Sequence, residues 1–141
     1  MNQIVPYQLW IGHAGDGRAF QTLFDKGITA LVQLAVEEPS LESPRELVYL
    51  RFPLIDGGGN DSAVLRLAID SVARLVRQNM PTLVCCGAGM SRSPAIAAAA
   101  LSIVESVDVE ICLERVLEMH PADLSTALWK EVCEVVKQGE K

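Results

Sequence analysis

The sequence predicts an α/β fold, with a central, mostly parallel sheet of four to five strands flanked by helices. Three observations carry that reading. Short runs rich in β-branched and apolar residues recur along the chain: ITALVQLA (28–35), LVYLRFPLI (47–55) and TLVCC (82–86). Such runs suit buried strands. Between and after them, apolar residues shift to helical spacing. Alternation of the two periods implies crossover connections and therefore parallel pairing. The chain has 141 residues and 50% apolar composition, enough for a real core. No linker, low-complexity run or internal repeat divides it, so one domain spanning residues 1–141 is expected.

Taken in order, LWIG (9–12) reads as an edge strand, followed by the strands at 28–35 and 47–55. In 61–78, Val64, Leu65, Ala68, Ile69, Val72, Leu75 and Val76 fall on one helical face, with Arg66, Asp70 and Arg77 mostly opposite. Asp61 or Ser62 can cap that helix. After TLVCC, the segment AIAAAALSIV (95–104) is apolar all round, which marks a helix buried on every side. Pro94 sits where a first-turn proline belongs. A second stripe, Val109, Cys112, Leu113, Val116 and Leu117, is ended by His120-Pro121. Leu128, Trp129, Val132, Cys133 and Val136 form the last one.

Charge and composition exclude several roles. A formal net charge of −6, with scattered basic residues, argues against binding to nucleic acid. The most membrane-like window, between Arg92 and Glu105, holds twelve uncharged residues, too few to span a bilayer. The N-terminus lacks the pattern of a signal peptide, so a cytoplasmic location is the default expectation. The four cysteines, Cys85, Cys86, Cys112 and Cys133, include no C-x-x-C, and His13 and His120 are far from all of them in sequence. Neither a disulfide framework nor a metal site is expected. Cys112 and Cys133 lie on apolar faces and read as core residues. The sequence sets no oligomeric state.

The chemistry concentrates after TLVCC. Cys86 ends a strand, the loop Gly87-Ala88-Gly89-Met90-Ser91 follows, and a buried helix begins near Arg92 to Pro94. Open α/β sheets place their ligand crevices at such a position. A short turn entering a helix points backbone N–H groups at an anion, and the helix dipole adds positive potential. The same field favours the thiolate of a cysteine standing there. Arg92 can grip two phosphate oxygens in a planar fork. One tetrahedral oxyanion would thus meet a soft nucleophile and pre-aimed positive charge, which is most of what phosphoryl transfer needs.

TLVCCGAGMSRSPAIAAAAL resembles the signature of the cysteine-dependent protein tyrosine phosphatases, in particular their small dual-specificity branch. QLWIGHAGD with LFDKGITALVQLA resembles that branch's opening strand, first helix and second strand, and FPLID with the following helix resembles its general-acid region. The similarity covers most of the chain to about residue 120; the C-terminal helix matches only in kind. The resemblance implies a metal-independent hydrolase without a cofactor. Cys86 aligns with the nucleophile, Arg92 with the phosphate-clamping arginine, and Ser93 with the hydroxyl that stabilises the departing thiolate. Asp56 aligns with the general acid, which protonates the leaving oxygen and then activates water. Asp61 is a rival for that role, although an N-cap is sufficient explanation for it. Gly57-Gly58-Gly59 can act as the hinge of a lid or as a surface turn.

One residue departs from the family, which has histidine where Cys85 stands. That histidine is understood to support the loop, so its loss predicts a nucleophile less acidic than the family's usual one. Cys85 itself reads as a small packing residue, since strand alternation turns it away from Cys86. The loop interior carries no Lys or His, which favours a simple monoester over a polyphosphate. The expected partner is a phosphorylated protein, on tyrosine or serine/threonine, or a small phosphomonoester. A non-catalytic phosphate-binding module and a rhodanese-like sulfurtransferase are the alternatives.

Overall fold

The computed structural model describes residues 1–139. Its elements are β1 (Asn2–Gln3), β2 (Leu9–His13), α1 (Ala14–Arg18), α2 (Phe20–Asp25), β3 (Ala30–Ala35), β4 (Val48–Leu54), α3 (Ser62–Arg77), β5 (Thr82–Cys86), α4 (Arg92–Glu105), α5 (Val109–Met119) and α6 (Thr126–Gly139). The five strands form one sheet in the order β1-β2-β5-β3-β4. β2, β5, β3 and β4 run parallel, and only β1 is antiparallel. The predicted α/β class is therefore the observed one.

One assignment changes. LWIG is not the edge, because Asn2 and Gln3 pair outside it, opposite Ile11 and Trp10. Two paired residues leave no periodicity to read. The first helix also divides at Ala19 (φ −86°, ψ 65°) into α1 and α2.

Burial follows the strand positions. All residues of the inner strands β3 and β5 are buried, whereas the edge strand β4 is exposed or half-buried at all but Phe52 and Leu54. Parallel sheets need both faces covered. Val84 and Cys86 face the larger core, built with α3, α4, α5 and α6. Leu83 and Cys85 face a smaller one with Leu23, Ile28, Leu31 and Leu47. Helix α4 is buried from Arg92 to Ser102, and its run of alanines lets neighbours approach closely. Asp61 caps α3 by accepting from Ala63 N–H at 2.7 Å, and Asp108 caps α5 in the same way through Glu110 N–H at 2.8 Å.

Candidate active site

The crossover from β5 to α4 sets residues 87–91 at the carboxyl end of the sheet's inner strands. The carbonyls of Gly87, Gly89 and Met90 are occupied from outside the loop, and that of Ser91 opens the hydrogen-bond ladder of α4. Gly87 O accepts from Ala14 N–H at 3.0 Å, Met90 O from Asp123 N–H at 3.1 Å, and Ser91 O from Ala95 N–H at 3.1 Å. Gly89 O lies 2.7 Å from His120 Nε2. A carbonyl only accepts, so Nε2 carries the proton, and Nδ1 can accept from Asn2 Nδ2 at 2.9 Å. In a trans peptide the C=O and the next N–H point in opposite directions. The N–H groups of Ala88, Met90, Ser91 and Arg92 therefore face away from those outer partners, into the loop. Gly89 has φ +73°, and a Cβ there would lie 2.8 Å from Gly12 O, so only glycine fits.

Ser91 is the N-cap of α4 but makes no side-chain capping bond. Its Oγ instead accepts from Ser125 N–H at 2.9 Å. The helix thus presents its first-turn N–H groups uncapped by a side chain, as anion-binding helix ends do.

Arg92 is almost fully buried, and three of its five N–H donors are engaged. Nη1 and Nη2 hold Glu37 Oε1 and Oε2 at 2.6 and 2.5 Å, and Nη1 also donates to Leu54 O at 3.0 Å. Nε has no partner among the described residues. Glu37 takes the end of the guanidinium, which leaves the side edge formed by Nε–H and the second Nη2 hydrogen. That edge also has two-point geometry. The hydrogen bonds from Arg92 hold the Glu37 carboxyl down at about 2, against the opposing effect of burial. The same bonds raise Arg92 further, as does the proximity of Cys86 and Asp56.

The other predicted residues fall as follows. Cys86 is 2% exposed at the end of β5, and Ser93 Oγ is buried without a partner among the described residues. Ala88 and Met90 are exposed on the loop. Asp56 is exposed just beyond β4, close enough for its charge to act on Arg92. The carboxylate of Asp61 is engaged at the α3 N-terminus. Cys85 packs on the opposite face of the sheet against Gly17, where a Cβ would come within 2.8 Å of its sulfur. Burial, then the neighbouring charge of Cys86, pushes its thiol up to about 12.

Sequence reasoning missed Glu37, His120 and Asn60, whose partners lie far along the chain or in a connecting loop. Glu37 carried a signal, since Val36-Glu37-Glu38 follows a strand that ends beside the loop. His13 is paired in register with Cys86, although it lies 73 positions earlier in the chain. Among the described residues, no three His, Cys, Asp or Glu side chains are grouped to hold a metal ion.

A family model described as "Polymorphic toxin system, DSP-PTPase phosphatase" matches residues 11–105. A sequence comparison with curated proteins gives no match. Among solved structures, human DUSP28 aligns over 100% of both chains with a TM-score of 0.86 and 23% identity. A mouse putative dual specificity phosphatase, complexed with zinc tungstate, aligns over 97% of this chain and 86% of its own, with a TM-score of 0.84 and 25% identity. With the family model matching well over half of its length, the chain belongs to the dual-specificity branch of the cysteine-dependent protein tyrosine phosphatases.

Proposed function

We propose that the protein hydrolyses phosphomonoesters on proteins, at phosphotyrosine, phosphoserine or phosphothreonine, through a cysteinyl-phosphate intermediate. The observation that carries this is the division of Arg92's donors. Glu37 and Leu54 take one set, and Nε has no partner among the described residues. The guanidinium stands against the loop, since a Cβ on Gly87 would come within 3.2 Å of Nη2 and the charge of Cys86 acts on it.

In the first step the Cys86 thiolate attacks phosphorus, and the bond to the ester oxygen breaks. Asp56 gives its proton to the departing alkoxide or phenoxide. The side edge of Arg92 and the N–H groups of Ala88, Met90, Ser91 and Arg92 hold the equatorial oxygens, where charge is spread in the transition state. In the second step Asp56 takes a proton from water, whose oxygen attacks phosphorus. The sulfur–phosphorus bond breaks, inorganic phosphate leaves, and the Ser93 hydroxyl donates to the released thiolate. Gly87 and Gly89 supply the close turn. The absence of Lys and His from 87–91 supports a monoester over a polyphosphate. The tetrahedral oxyanion in the mouse relative's complex supports the same class of ligand.

The test is release of p-nitrophenol from p-nitrophenyl phosphate in EDTA, comparing the natural protein with Cys86→Ser. Turnover abolished by the substitution is expected. Phosphopeptide binding by the folded, reduced protein without any turnover would reject the reading and leave a binding module.

A further inference from the structure

The connection between β4 and α3 contains three consecutive glycines, yet it is tied down at several points. Glu131, on α6, accepts from Gly59 N–H through Oε2 at 2.8 Å and from Asn60 N–H through Oε1 at 3.2 Å. Its Oε1 also accepts from Asn60 Nδ2 at 3.1 Å. Asn60 passes the constraint back along the chain. Its Oδ1 accepts from Ile55 N–H at 2.8 Å, and its Nδ2 reaches Ile55 O at 3.1 Å and Gly57 O at 3.0 Å. The residues on both sides of Asp56 are therefore held by one side chain, which is itself held by Glu131. A Cβ on Gly58 would lie 3.5 Å from that of Ala127, so α6 also backs the middle of the loop.

These contacts bear on proton transfer. An acid in a free triple-glycine loop would sample many positions, and few would align it with a leaving oxygen. Burial pushes the Glu131 carboxyl up, but the bonds from Gly59 and Asn60 outweigh it and hold the group below its ordinary value. The anion is the form that can accept all three donors.

We propose that Glu131, acting through Asn60, is a positioning residue for Asp56: its carboxylate fixes residues 55–60 so that the acid stays aimed at the leaving-group oxygen. This rests on the reading of Asp56 as general acid. It makes the C-terminal helix, which has no side chain among the proposed reacting groups, part of the proton-transfer apparatus.

The experiment uses the full chain and two substrates that differ in their need for a proton. Phenyl phosphate has a basic leaving group, whereas p-nitrophenyl phosphate has a much less basic one. Glu131→Ala is expected to lower kcat/KM, which reads the first step and not the hydrolysis common to both substrates, by roughly tenfold for phenyl phosphate, with a much smaller change for p-nitrophenyl phosphate. In an Asp56→Asn background, which itself costs about a hundredfold or more with phenyl phosphate, the same substitution should add almost nothing. If Glu131→Ala does not fold, Glu131→Gln keeps the volume and one acceptor oxygen and should show the same substrate bias at smaller size. Equal losses in kcat/KM on both substrates, or a loss that persists in the Asp56→Asn background, would mean that Glu131 only braces the fold. If Asp56→Asn is as fast as the natural protein on phenyl phosphate, the general-acid reading fails and this proposal with it. Absence of turnover on either substrate would reject the phosphatase reading itself.

Discussion

Arg92 divides five donors between a protein carboxylate and an open edge, and the division gives Glu37 a task that can be measured. Glu37→Gln keeps one acceptor but loses the charge-assisted pair. Arg92 should then wander, and kcat/KM for p-nitrophenyl phosphate should fall about tenfold in steady-state assays. The pair also leaves a signature in stability. The carboxyl titrates ordinarily at 4.5 and in the fold at about 2. A depressed carboxylate contributes stability above its unfolded value and loses it as pH falls through the folded one. The difference in stability between the natural protein and Glu37→Gln should therefore be largest near neutrality and shrink between about pH 4.5 and 2. Denaturant titrations at several pH values read this directly. Cys85 makes the opposite case, of a residue set in place by packing. Its sulfur fills the space over Gly17. Cys85→His, which restores the family's usual residue, should overpack that space and lower stability by about 1–3 kcal/mol in thermal denaturation. Cys85→Ala should cost only about 1 kcal/mol and leave turnover nearly intact.

At the level of elements, the segment from the end of α5 to the start of α6 braces the loop. His120, Asp123 and Ser125 contact residues 89, 90 and 91 in succession. Removing the imidazole leaves Gly89 O buried without a donor and frees its peptide to turn an acceptor toward the anion. His120→Ala is expected to weaken competitive inhibition by inorganic phosphate by about tenfold, measured as Ki, beyond any change in melting temperature. Legibility in the sequence also divides by element. β3, β4, β5 and α3 could be read because local composition and spacing alone decide them, and α4 because it is apolar on every side. Cys86, Arg92 and Ser93 could be read because one turn and one helix start bring them together. Asp56 needed the resemblance as well as its place beyond a strand. The contacts of His120 with Gly89 and of Glu37 with Arg92 span 31 and 55 residues and belong to the packed molecule, so no local pattern announces them.

For the whole molecule, the arrangement in two cores sets what a mutation can reach. Leu128 is fully buried in the larger core and docks α6. Leu128→Ala should cost about 2–5 kcal/mol, seen as a drop in the denaturation midpoint, a large share of the stability usual for a chain of this size. The sheet between the two cores has a further consequence for the adjacent cysteines. Cys86 lies on one side and Cys85 on the other, 1% exposed and with a thiol hard to ionise. A labelling reagent reaches Cys85 only when the sheet or its α1–α2 cover opens. The chain therefore carries an internal gauge of its own breathing, one peptide bond from its proposed reactive sulfur. In a pulse-labelling series read by mass spectrometry, modification of Cys85 should track the opening equilibrium and accelerate with denaturant. Occupation of the active-site loop by an oxyanion should slow it only as far as the ligand stabilises the whole fold.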